Sequence, residues 1–325
     1  MSASDAIFDR ALDVITITSV FCFAATFYII IKHSPKYMAS LSRPLLNIFA
    51  WNSLVNGLFL VARPLPMMPL TCFKLTGVLS MLVKSEDLGH LVVMMTFLAT
   101  LNVAIGLVIS FSFRYMAITG CRLLQARRIW LFLYAAVPHS VFSAGYLWSY
   151  SMWAISMDEY RGVIPQSLRE NLFCFSSEAP RSFICTLYLF VVIALVVGAL
   201  VILVGLSFYE LHKNEKIISE RTAKMQRKLL WNLIVLSGIP ICLGGTPFMT
   251  FAVFFFQNEW PYGQVIGAIC LVMMTLFGPV MCVACLLFFE NYRKALIGIF
   301  LKKCTHVVTV TQVVSIAKLT SQPTR

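Results

Sequence analysis

Seven stretches of this chain, each at least 18 residues long, contain no Asp, Glu, Lys or Arg. At a rise of about 1.5 Å per residue, each is long enough to cross roughly 30 Å of hydrocarbon as an α-helix. They predict spans at about 14–31, 44–62, 88–113, 129–149, 183–208, 229–256 and 264–289. The next such run, Cys304 to Ala317, has only 14 residues and is too short to span. Glu259 alone separates the last two runs, but Gln257-Asn258-Glu259-Trp260-Pro261-Tyr262-Gly263 has the turn formers and interfacial aromatics of a tight hairpin. The expected fold is therefore all-α, one bundle of seven transmembrane helices. Residues 1–13 form a short tail before it, and residues 290–325 form a longer one after it.

Charge excludes the soluble alternatives. Only 12% of residues are charged and 59% are hydrophobic, about half the charged fraction of an ordinary soluble domain. A net charge of +12 would suit nucleic acid if the cations shared one soluble face, but here they flank the spans. The partner they imply is the lipid bilayer. Lys and Arg close to span ends are retained on the cytoplasmic side. With the amino terminus outside, 19 of the 26 cations fall inside, and ten of the 14 acids fall outside. An odd number of spans then places the carboxyl tail in the cytoplasm. Met1 to Arg10 has Asp5 and Asp9 but no basic start, so the first run is expected to remain as a helix rather than be removed as a leader.

The spans lack the ionisable residues that ion-coupled transporters and pumps use at mid-membrane depth, apart from His90 and His139. No phosphate loop, dinucleotide loop, zinc-helix signature or nucleophile elbow is present, so neither an enzyme nor a cofactor is expected. Cys282 and Cys285 lie one turn apart inside the seventh span and have no second ligand pair. They read as packing residues, and no metal site is expected.

Residues in the outer halves or at the outer ends of the helices, where a cavity could open to solvent, make a candidate ligand site of Arg63, His90, Met94, Tyr188, Thr246, Thr250 and Gln264. A mostly apolar cavity with a few polar groups suits a small organic molecule arriving from outside. The competing explanation for each residue is hydrogen bonding between helices, which needs no ligand. Prolines 138, 240, 247 and 279 interrupt apolar runs and favour kinks. Cys72 and Cys174 lie in outer loops and are candidates for a disulfide across the bundle mouth, with Cys185 a competitor for either partner. On the inner side, Arg114, Tyr115, Lys224, Arg227 and Lys228 form a candidate contact surface for a cytoplasmic partner. After the seventh span, Asn291 to Cys304 suits a short interfacial helix, with Cys304 a candidate for acylation.

Three segments resemble the nematode serpentine chemoreceptors of the Str superfamily, the group containing classes H, I, D and Str. Thr222-Ala-Lys-Met-Gln-Arg-Lys-Leu-Leu, followed by Ile239-Pro240 and Pro247, is similar to that family's Thr-x-x-x-Gln-Lys entry into a sixth helix. Gly278-Pro279 through Glu290-Asn-Tyr292-Arg293 resembles its terminal Tyr-Arg signature, and Phe113-Arg114-Tyr115 its Arg-Tyr pair. Phe277-Gly278 stands where class H members tend to carry His-Gly. The Asp-Arg-Tyr and Asn-Pro-x-x-Tyr motifs of the large vertebrate rhodopsin-like group are absent. The resemblance implies a G-protein-coupled receptor fold and an external chemical sensor in the plasma membrane of ciliated sensory neurons. Its partner would be a heterotrimeric G protein. The alternative from another class is a channel or facilitator for a small solute.

Overall fold

The computed structural model describes residues 3–299 except 36–37, 83–84, 122–127, 161–171, 177, 215–218 and 258–259. Seven long helical rods dominate it. They are α1 (Ala3–His33), α2 (Ala39–Ala62), α4 (Glu86–Thr119), α5 (Arg128–Trp153), α6 (Ala179–Lys213), a rod composed of α7 (Glu220–Pro240) and α8 (Thr246–Phe256), and α9 (Gly263–Phe288). A short helix α3 (Val78–Leu82) precedes α4, and a last helix, α10, covers 290–299. Six of the rods are both long and apolar enough to cross a membrane. The seventh, α5, is 26 residues long. Its tyrosines, tryptophans, serines and His139 dilute its hydropathy, although none of them is charged.

The α7–α8 rod shows what two prolines do to a helix. Pro240 ends α7, and Pro247 lies in the first turn of α8. Neither can donate a backbone hydrogen bond. Between them Ile241–Gly245 winds as a π-helical turn, in which the Thr246 N–H reaches back to the Ile241 carbonyl. The predicted kink therefore takes the form of a π-bulge.

Burial separates central from peripheral rods. In the most apolar windows, 67% of α9 and 61% of α4 are buried, against 11% of α6. The apolar residues of α6 face outward instead, with Val201 and Ile202 both exposed. Such a surface is stable only against lipid.

One end of the bundle carries a four-stranded antiparallel sheet, ordered β1-β2-β4-β3, from β1 (Pro64–Pro66), β2 (Cys72–Leu75), β3 (Ala154–Ile155) and β4 (Leu172–Phe175). Cys72 stands directly opposite Cys174 in the register, and the two are joined by a disulfide. Cys185 is a free, buried thiol. We call this the cap end. Closing a loop across 102 residues of sequence stabilises a fold by about 2–4 kcal/mol.

Candidate functional site

Beneath the sheet lies a cluster of aromatic rings. Phe73 stacks on Phe173 at 5.8 Å, Trp153 lies 4.2 Å from Phe175, and Phe251 and Phe255 of α8 complete the group. All six are buried. Gly89 of α4 makes room for this packing, since a Cβ there would stand 2.3 Å from the Phe173 ring. Strand alternation explains the placement, because Phe73 and Phe173 are directly opposed and point to the same face.

Further along the bundle, midway down α4 and α6, is a cavity of about 350 Å³. Its walls are α4 near Leu101 and Ala104, α6 near Val192 and Val196, the π-turn with Gly244 and Gly245, and Phe277 of α9. The volume lies at the small end of the roughly 300–1,000 Å³ typical of ligand sites. Two hydroxyls line it, those of Thr100 and Thr246. Thr100 donates to the Thr96 carbonyl at 2.8 Å and Thr246 to the Ile241 carbonyl at 3.1 Å. Each hydroxyl therefore retains acceptor capacity but has committed its proton.

Of the seven residues expected to bind a ligand, only Thr246 is among the described residues lining this cavity. Arg63, held at φ 44° at the end of α2, pairs with Asp13 of α1. His90 contacts the Tyr150 hydroxyl and the Ile155 carbonyl, both at 3.3 Å, with its ring against Phe173 and Phe175. Met94 packs on the aromatic cluster. Tyr188 donates to the Phe142 carbonyl at 2.6 Å, tying α6 to α5. Thr250 donates to the Thr246 carbonyl at 3.1 Å, and Gln264 accepts from the Met68 N–H at 2.9 Å. Arg63, His90, Tyr188 and Gln264 thus join separate helices or loops in this conformation, whereas the Thr246 and Thr250 hydroxyls bond back along their own rod.

The opposite end is held by polar contacts. Arg114 is buried at the end of α4, and its guanidinium donates to both the backbone and the side-chain oxygen of Gln226 on α7. Lys228 pairs with Glu290 at 2.8 Å, and Lys294 with the same carboxylate at 2.9 Å. These two ammonium groups hold the Glu290 carboxyl down at about 2. The Tyr292 and Ser34 hydroxyls share a hydrogen bond of 2.9 Å, linking α10 to the segment after α1. Lys224 pairs with Glu220 at 2.6 Å within its own helix, Arg227 is exposed, and Tyr115 is half-buried. Cys304 lies outside the described residues.

Sequence reasoning assigned no role to Gln226 or to the α6 wall of the cavity. Gln226 did have a signal, since it is the glutamine of the Thr-x-x-x-Gln pattern, placed where an arginine on the neighbouring rod can reach it. The α6 wall had none, because Val192 and Val196 look the same whether they face lipid, a neighbouring helix or a void. Compared with known protein families, the chain matches the one described as "Serpentine type 7TM GPCR chemoreceptor Srh" over residues 3–302. No curated protein matches it.

Proposed function

Because the chain belongs to the serpentine Srh family of seven-transmembrane chemoreceptors, we propose that it detects an external small molecule and signals to a cytoplasmic heterotrimeric G protein. The family is one of receptors, not enzymes. In this reading the cap end is outside the cell, as is the amino terminus. The Arg114–Gln226 end and the carboxyl tail lie in the cytoplasm, which agrees with the excess of Lys and Arg on that side. The protein works in the plasma membrane, in a sensory cilium.

The observation that carries the reading is the position of the cavity. It touches α4, α6, the π-turn and α9, and the same α4 and α7 that frame it are clamped at their far ends by Arg114 and Gln226. A ligand that fits one arrangement of these rods better than another shifts the balance between them by its difference in affinity. Releasing the clamp would free Arg114, with Tyr115, Lys224, Arg227 and Lys228 beside it, to meet the G protein.

The test is ligand-evoked G-protein activation in a heterologous membrane, with a screen of volatile and water-soluble attractants and repellents. The response should be lost in Arg114→Ala combined with Lys224→Ala. A full response in that double variant rejects the contact surface, and solute flux with no G protein present favours a facilitator instead.

A further inference from the structure

The cavity is closed toward the cap and open toward the side. Between it and the sheet, the remaining space shrinks to about 20 Å³, bounded by Phe97, Trp153, Phe248, Phe251 and Phe255. That holds about one water molecule. Above it lie the buried aromatic cluster and the disulfide-bonded strands. On the flank the situation is reversed. α6 packs along α4 and α5 but makes little contact with α8. The cavity reaches the π-turn on this flank, where Gly244 and Gly245 contribute no side chains. Cavity residues on both sides of it reach the outer surface, with Val197 40% exposed, Ile241 41% exposed and Thr246 also exposed. These residues lie near the middle of rods that span the bilayer, so the medium outside this gap is hydrocarbon, not water.

From this geometry we infer that the ligand is a neutral, mainly aliphatic molecule that first dissolves in the bilayer and enters sideways between α6 and α8. The inference rests on the receptor reading above and specifies its ligand class and route. No charged side chain lines the cavity among the described residues, and desolvating an ion there would be costly. The Thr100 and Thr246 oxygens have lone pairs to offer but no free proton. The polar group they recognise on a ligand is therefore a donor such as a hydroxyl, rather than a bare carbonyl. Entry from the bilayer also concentrates such a molecule beforehand, more strongly with each methylene transferred.

The test uses the full chain in lipid vesicles and a photoreactive diazirine derivative of 1-decanol, with labelled peptides read by mass spectrometry. Saturable labelling is expected at residues 192–200 and 241–249, displaced by excess 1-decanol. Two variants narrow the gap. Gly245 has φ −65°, and a Cβ there stands in ordinary contact with the Pro240 carbonyl oxygen, at 3.8 Å, so the backbone accommodates the first atom of Gly245→Leu. Val197→Trp adds bulk on the α6 side of the gap, at a cavity residue that is 40% exposed. Each should cut the rate of saturable labelling by about ten-fold. Labelling that excess decanol does not displace would mean lipid contact only and overturns the proposal. Saturable labelling that neither variant slows overturns the lateral route, and labelling confined to the aromatic cluster overturns the site. None of these readouts needs a G protein. A chain that is labelled as expected yet never activates one therefore sinks the receptor reading and leaves this inference standing.

Discussion

The two ends of the bundle are held by different physics. The cap end relies on a covalent bond, a sheet and six buried aromatic rings. The opposite end relies on hydrogen bonds and ion pairs: Arg114 with Gln226, Lys228 and Lys294 with Glu290, and Tyr292 with Ser34. Buried rings and a disulfide keep one arrangement because every alternative loses packing as well as contact. The exposed ion pairs of Lys228 and Lys294 with Glu290 can be exchanged for hydration at small net cost, while the buried Arg114 needs another partner when it leaves Gln226. A molecule that must keep a fixed face on one side and change shape on the other has reason to be built this way.

The largest effect that would break the comparison lies in the cap. Phe175→Ala removes a ring that contacts Trp153, Tyr150 and Phe73, and should destabilise the folded protein by about 3–5 kcal/mol. Thermal unfolding of the purified protein measures this, and a loss below about 1 kcal/mol would show that the rings are not a packed unit. Cys72→Ser should follow, with a loss of about 2–4 kcal/mol by the same measurement. At the opposite end, Gln226→Ala removes the partner of a buried guanidinium, and hydrogen bonds to charged groups contribute about 1.5–3 kcal/mol. We expect its main consequence to be functional, a rise of roughly ten-fold or more in ligand-independent G-protein activation. An unchanged basal level would show that Arg114 does not act as a clamp.

The smallest effect concerns Glu290. Its carboxyl is lowered from 4.5 to about 2 by the hydrogen bonds from Lys228 and Lys294. A depressed carboxyl contributes its stabilisation above its unfolded value and loses it as pH falls through the folded one. The link between α7 and α10 should therefore be intact at neutral pH and weaken only between 4.5 and about 2. Spin labels on the two helices would report the distance. Because the pair is exposed, roughly 1 M salt, with a screening length of about 3 Å, should loosen the link at neutral pH as well. A distance that ignores both acid and salt would mean that apolar packing holds α10 in place.

Legibility in the sequence divides along the same line. The rods were readable because crossing hydrocarbon imposes a length and forbids charge. That test detects α5, where hydropathy falls short because of its tyrosines, tryptophans and serines. The match over residues 3–302 selects the Srh class from the group that the motifs suggested, even with Phe277 in place of the usual histidine. The sheet was not readable. Its strands are two to four residues long, and one is Pro64-Leu65-Pro66, which propensity alone would assign to a turn. The cavity was least readable of all. A threonine in a span looks like a ligand contact until its hydroxyl is seen bonding back to its own helix, as Thr96 and Thr250 do to the carbonyls four residues earlier.

The edge strand with two prolines has one more consequence. β1 and β3 form the borders of the sheet; β1 has a backbone donor only at Leu65, and β3 is two residues long. An open border of unpaired amides is a template on which a neighbouring chain can add a strand. Here the template is nearly blank. Copies of the protein lying side by side in a membrane therefore find little edge on which to add strands to one another's caps.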